Sequence, residues 1–255
     1  MNENTLYLER MKPTEYDNLT PTFGAVIHDI DLTDLIYEKS KFLYDLFSEK
    51  KLLIFPGQTL DNKQLSSVAS IFGKVWQNNL VEMSQEDEIL SKKHKSWQID
   101  LTYFPCQVLP NRLLYADELQ ESGTSTDFLD TIEGIKFLDQ HAFSLLRGAT
   151  IYCKSLDKVM RRPALNWHPK HNSWSLVADE MFTLYIEDDN NYPINVPKKD
   201  SFDEIQGLTG RNPGILYDNG SNWQEYLEFI RTVIEQMKSP NTLYSHEWKE
   251  NDLVI

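Results

Sequence analysis

The spacing of apolar residues changes period several times along the chain, and each change predicts an element. Residues 22–33 (TFGAVIHDIDLT) set Ala25 and Ile27, then Ile30 and Leu32, two apart, which predicts a strand. Over 34–50 the apolar positions Leu35, Ile36, Leu43, Leu46 and Phe47 fall near one helical face, so an amphipathic helix is expected. Leu52-Leu53-Ile54-Phe55 is an unbroken apolar run stopped by Pro56-Gly57, the pattern of a buried strand. A helix is predicted over 61–73, with Asp61 as N-cap, Gln64 in capping-box position and Gly73 at its end. Residues 76–95 mix both charge signs with weak periodicity and predict a long loop, a class of segment that is usually functional or disordered.

Strand signals return at 97–104 and 112–117. The strongest helical pattern spans 127–147, where Phe128, Ile132, Ile135, Leu138, Phe143 and Leu146 make a broad apolar stripe. A middle rich in Pro, Asn and Asp (161–220) carries strand pieces at 174–178 and 181–186. Residues 221–238 predict a second strong helix, capped by Ser221 or Asn222, with Trp223, Leu227, Ile230 and Ile234 on one side. Strands at 244–248 and 253–255 flank a turn at Lys249-Glu250-Asn251-Asp252. Strands in the centre with helices gathered at two places predict an α+β fold, helices lying on one face of a mainly antiparallel sheet.

Composition narrows the function classes. The 255 residues suit a single domain over 1–255, and 40% apolar with 12% aromatic residues suffice for a core. A net charge of −14 argues against a nucleic-acid partner, which requires clustered Lys and Arg. Cys106 and Cys153 have no zinc spacing and are expected as thiols in a reducing cytoplasm. No run approaches the roughly 18 apolar residues of a membrane span, and Met1-Asn2-Glu3-Asn4 lacks the features of a signal peptide. The expectation is a cytoplasmic protein without a membrane partner. There is no Gly-x-Ser-x-Gly elbow, P-loop or Gly-x-Gly-x-x-Gly. Asp188-Asp189-Asn190-Asn191 lacks the central Gly and closing Glu of a calcium loop and is expected as a solvated turn.

Two segments carry candidate chemistry: Trp97-Gln98-Ile99-Asp100-Leu101-Thr102-Tyr103 and Gly123-Thr124-Ser125-Thr126. On a strand, residues 98 and 100 point to the same face, so two donors there could share one ligand. The first segment resembles the Trp-His-x-Asp-x-Thr/Ser-Phe strand of the taurine dioxygenase family of Fe(II)/2-oxoglutarate oxygenases, and the second resembles its Gly-x-x-Thr turn. Phe23-Gly24-Ala25-Val26-Ile27-His28-Asp29-Ile30-Asp31-Leu32-Thr33, Leu53-Ile54-Phe55-Pro56-Gly57-Gln58-Thr59-Leu60 and Asn251-Asp252-Leu253-Val254-Ile255 are similar to further stretches of that family, in the same order. The resemblance implies a double-stranded β-helix (jelly roll) core with flanking helices, without its final strands. It implies Fe(II) and 2-oxoglutarate as cofactors and oxidation of a small-molecule substrate. Asp100 matches the carboxylate metal ligand and Thr126 the threonine that helps hold 2-oxoglutarate; Gln98 stands where the family has its metal histidine.

That substitution keeps several readings open. The Gln98 amide oxygen is a neutral donor, whereas imidazole suits iron better. The family's second metal histidine and its 2-oxoglutarate arginine have no counterpart before Ile255. The site is therefore expected to be impaired as a dioxygenase, with a non-catalytic homologue binding a small molecule or protein as the alternative. A third reading makes Asp100 a general base. His94, His168, His171 and His246 are candidate substitute ligands, with ordinary loop, turn and strand roles as the alternative; Asn166-Trp167-His168-Pro169 resembles the family's structural Arg-Thr-His-Pro turn. His28 and His141 read as plain strand and helix positions. A last strand without neighbours would leave an exposed C-terminal edge, which self-association into a homo-oligomer could cover.

Overall fold

Gly24 (φ +78°) and Asp29 (φ +50°) bracket the first buried strand and explain its brevity. The computed structural model describes residues 14–35, 37–75, 96–99, 111–119, 124–155, 158–180, 183–187 and 223–255. The expected loop at 76–95, His94, Asp100 and the rest of 97–104, Cys106, Gly123, Asp188–Asn191, and the caps Ser221 and Asn222 lie outside these residues. Described residues of Met1–Val81, Asn111–Asp130 and Ser239–Ile255 form one compact unit, and those of Glu82–Pro110 and Thr131–Lys238 a second.

In the first unit, β1 (Tyr16–Asn18), β2 (Ala25–Ile27), β3 (Leu53–Phe55) and β4 (Leu114–Tyr115) join a five-stranded sheet whose remaining member is the chain's last strand, Leu253–Val254. The strand predicted over 22–33 is thus only three residues long, and Leu32–Asp34 turns instead into a short 3-10 helix capped by the Asp31 carboxylate. Strands β2 and β3 run parallel and the other pairs are antiparallel.

Both faces of this sheet are covered, which is why 52–55 reads as a continuous apolar run. Leu53, Phe55, Leu253 and Ile255 pack with Leu43 and Leu46 of α1 (Tyr37–Lys50) and Leu65, Val68 and Phe72 of α2 (Asn62–Phe72). Each such fully buried side chain contributes about 1.5–3 kcal/mol. The α2 capping box forms as the spacing predicts: Lys63 and Gln64 N–H donate to Asp61 Oδ1 at 2.8 Å, and Asp61 N–H donates to Gln64 Oε1 at 2.7 Å. On the opposite face, Ile54 and Val254 meet Phe128, Tyr244 and Trp248.

Phe128 and Tyr244 come from an antiparallel ribbon, β5 (Ser125–Leu129) with Leu243–Glu247, and Trp248 follows directly after it. Here the long helix expected over 127–147 is corrected. Residues 125–129 are strand, Thr131–Gly134 (α3) and Ile135–Phe137 are short helical turns, and only Gln140–Arg147 (α4) is a regular helix. The Asp130 N–H donates to Thr242 O (2.8 Å), tying the chain to the ribbon rather than to a helical turn. Leu138 is extended, and the Asp139 carboxylate caps a new helix at the Ala142 N–H. The apolar stripe was real, but Phe128 belongs to a strand face and Leu146 to another helix.

The second unit holds β6 (Thr150–Ser155) and β7 (Lys158–Pro163), unread in the sequence, in a three-stranded sheet with β10 (Thr183–Glu187); β8 (Leu165–His168) and β9 (Ser173–Leu176) form a hairpin. Helix α5 (Trp223–Met237) buries Leu227, Ile230 and Ile234, as its spacing predicts, and with them Tyr226, Val233 and Met237, which the predicted stripe did not include. Cys153 is fully buried on β6. No helix among the described residues is long and apolar enough to cross a membrane.

The final strands are now β11 (Leu243–Glu247) and β12 (Leu253–Val254). The expected exposed C-terminal edge is corrected: β12 lies between β3 and β4, with Leu253 0% and Val254 1% exposed. Strand β4, within the strand signal read over 112–117, supplies the neighbour, a pairing that the linear sequence did not reveal.

Candidate functional site

Thr126 sits on the covered face of the β5–β11 ribbon because its pair partner is His246. In a strand pair, directly opposite residues share a face, and so do their neighbours two away. Thr126, Phe128, Tyr244 and His246 therefore line one side, while Ser125, Asp127, Ser245 and Glu247 are exposed on the other.

Trp248 continues this row one step past β11. Its backbone N–H donates to Thr124 O (3.0 Å), and its indole Nε1–H donates to Thr126 Oγ1 (2.8 Å). The indole packs edge-on against the His246 ring, centroids 4.6 Å apart. His246 is 5% exposed, and its Nε2 lies 3.3 Å from Asp252 Oδ2, within ion-pair range but without the alignment of a hydrogen bond. Asp252 is itself fixed by the turn, accepting from the Lys249 N–H at 3.0 Å.

Burial is the largest influence on His246 and pushes its proton affinity below the ordinary imidazole value; Lys249 adds to this, and the Asp252 charge opposes it without reversing it. Burial, with the charges of Asp252 and Glu247, raises the Tyr244 phenol above its usual range.

Gln98 belongs to the second unit and is exposed. The strand predicted at 97–104 is corrected over its described part: residues 96–99 join no ladder. The segment is held instead by Glu180 N–H donating to Trp97 O (3.1 Å) and Ile99 N–H donating to Asp179 Oδ2 (3.2 Å). Among the described residues no group of three or more His, Cys, Asp or Glu could hold a metal, and Asp100 lies outside them. The described residues therefore bring together no set of metal ligands. The hydroxyl of Thr126 does fit a carboxylate, because the indole already occupies one of its lone pairs and leaves the O–H to donate.

The remaining histidines among the described residues take ordinary places. His168 and His171 contact each other (centroids 4.7 Å) at the β8–β9 turn, His28 Nε2 lies 3.0 Å from Asp17 Oδ2, and His141 is exposed on α4. Sequence reading assigned no role to Trp248 or Asp252. Their signal was the two-residue spacing of Tyr244, His246 and Trp248, which gains meaning only when the strand register sets them against Thr126.

Residues 15–255 match the family model described as taurine catabolism dioxygenase TauD, TfdA family. The (S)-phenoxypropionate/alpha-ketoglutarate-dioxygenase of Sphingobium herbicidovorans is 23% identical over 93% of this chain and 84% of its own. Among solved structures, AAD-2 in complex with Mn(II) and N-oxalylglycine aligns with a TM-score of 0.66 at 17% identity, covering 95% of this chain and 86% of that one. The PvcB protein of Pseudomonas aeruginosa aligns with a TM-score of 0.63 at 16% identity, covering 96% and 82%.

Proposed function

The chain belongs to the taurine catabolism dioxygenase TauD, TfdA family, and from this we propose that it is a 2-oxoglutarate-dependent dioxygenase of a small molecule, with a metal site altered at Gln98. The observation that carries the reading is the Thr126 hydroxyl, held on the covered face of the ribbon with its oxygen engaged by Trp248 and its proton left to donate. In such a reaction ferrous iron and 2-oxoglutarate supply the oxidising chemistry. Thr126 would donate its O–H to a carboxylate oxygen of 2-oxoglutarate, a charge-assisted bond stronger than a neutral one. The apolar neighbours Phe128, Tyr244 and Trp248 would keep water from that bond. The two covered layers of the first unit, sheet and ribbon, support a double-stranded β-helix as the core.

The character of Gln98 favours a second reading. An exposed neutral amide stands where the resemblance implies a histidine, which supports a homologue that binds 2-oxoglutarate or another dicarboxylate without turning it over. Anaerobic titration with Fe(II) and 2-oxoglutarate, followed by succinate measurement in air, separates the two for the wild type and Gln98→His. The dioxygenase reading expects succinate from the wild type and more from Gln98→His. Binding of 2-oxoglutarate with no succinate from either chain moves the assignment to the non-catalytic reading. Absence of both binding and succinate sinks both.

A further inference from the structure

We propose that Trp248 is a positioning residue that turns the Thr126 proton away from the indole and toward an acceptor on the ligand, a carboxylate oxygen. The inference rests on the 2-oxoglutarate reading of Thr126 and extends it to a residue that contacts no ligand itself. A threonine hydroxyl can donate or accept, and its rotor ordinarily suits whatever partner arrives. An indole N–H can only donate. With Nε1 at 2.8 Å, Thr126 Oγ1 must accept from Trp248, and its own proton must point elsewhere. The alternative orientation, proton toward the indole, would set two donors against each other.

The indole is held for this task. Its backbone is pinned to Thr124 O (3.0 Å), its ring is braced edge-on by His246 at 4.6 Å, and its body packs into the cluster with Ile54 and Val254. His246 in turn is set by its register against Thr126 and by the Asp252 carboxylate at 3.3 Å. The order Asp252, His246, Trp248, Thr126 thus fixes one hydroxyl from behind, a support that costs little entropy at the moment of binding because every member is already packed.

The test is a double-mutant cycle on 2-oxoglutarate affinity, measured by calorimetry in the presence of Zn(II), with wild type, Trp248→Phe, Thr126→Val and the double variant. Loss of one bond to a charged group corresponds to roughly a tenfold or greater change in Kd. Thr126→Val is expected to weaken binding about tenfold and Trp248→Phe about three- to tenfold, both on that scale. The double variant is expected to be no weaker than Thr126→Val alone, because Trp248 acts only through Thr126. Additive losses, or a Trp248→Phe affinity equal to wild type, overturn the inference and leave the 2-oxoglutarate reading standing. Failure of the wild type to bind 2-oxoglutarate overturns both. If Trp248→Phe does not fold, the indole N–H resonance of the wild type decides. Adding 2-oxoglutarate should move it downfield as the engaged hydroxyl becomes a better acceptor, and Thr126→Val should abolish that response; an unmoved resonance overturns the proposal.

Discussion

His246 shows how one side chain takes its chemistry from its neighbours. It is 5% exposed, and burial depresses its proton affinity despite Asp252. A folded-state value below the unfolded one means that the unfolded chain binds the proton more readily. Stability from this group is therefore complete above the ordinary imidazole value of about 6.5 and declines as pH falls below it. Thermal melts of the wild type should drop as pH is lowered from neutrality through the weakly acid range, and His246→Gln should flatten that limb. A second residue-scale expectation concerns Lys51, whose Nζ lies 2.6 Å from Asp130 Oδ2, with side-chain exposures of 18% and 2%. Removing one partner of a buried pair leaves a poorly compensated charge, at a cost of about 3–5 kcal/mol. Lys51→Met should lose about that much in denaturant unfolding, and adding Asp130→Asn should restore part of it. Neither effect was visible in the sequence, where Lys51 and Asp130 stand 79 residues apart.

Elements whose signals are local were legible; those that depend on pairing were not. The helix at 61–73 was readable because Asp61 and Gln64 satisfy the first-turn donors by themselves. The run at 52–55 was readable because a strand buried on both faces has no polar alternation to obscure it. The misread helix at 127–147 fails for the opposite reason. Its helical spacing coexists with the alternation of Ser125 to Leu129, and the ladder to β11 decides between the two. Strand β12 draws its stability from both neighbours, so Leu253→Ala should cost about 2–5 kcal/mol, the range for a large core side chain truncated in place. A loss below about 1 kcal/mol in urea unfolding would mean that the site collapses around the gap or that β12 is less central than its pairing with β3 and β4 indicates.

For the whole molecule, charge and family membership are the properties that sequence carries most directly. With a net charge of −14, the protein should show no retention by double-stranded DNA at physiological salt, as read by gel shift, since affinity there rests on neutralised phosphates. Membership in the family follows from the order of many short segments over residues 15–255, each too weak to identify it alone. The family, the capped helix at 61–73, the buried strand run at 52–55, and Thr126 as a candidate for a cofactor carboxylate were all readable along the chain. Those features depend on residues close together in the chain, or on the order of segments. Packing and strand pairing settled the rest: 127–147 divides, β12 is interior, and Trp248, 122 residues from Thr126, donates to that hydroxyl. Strand register is a cooperative outcome of packing both faces at once, and a shift of one residue would turn Thr126, His246 and Trp248 away from one another.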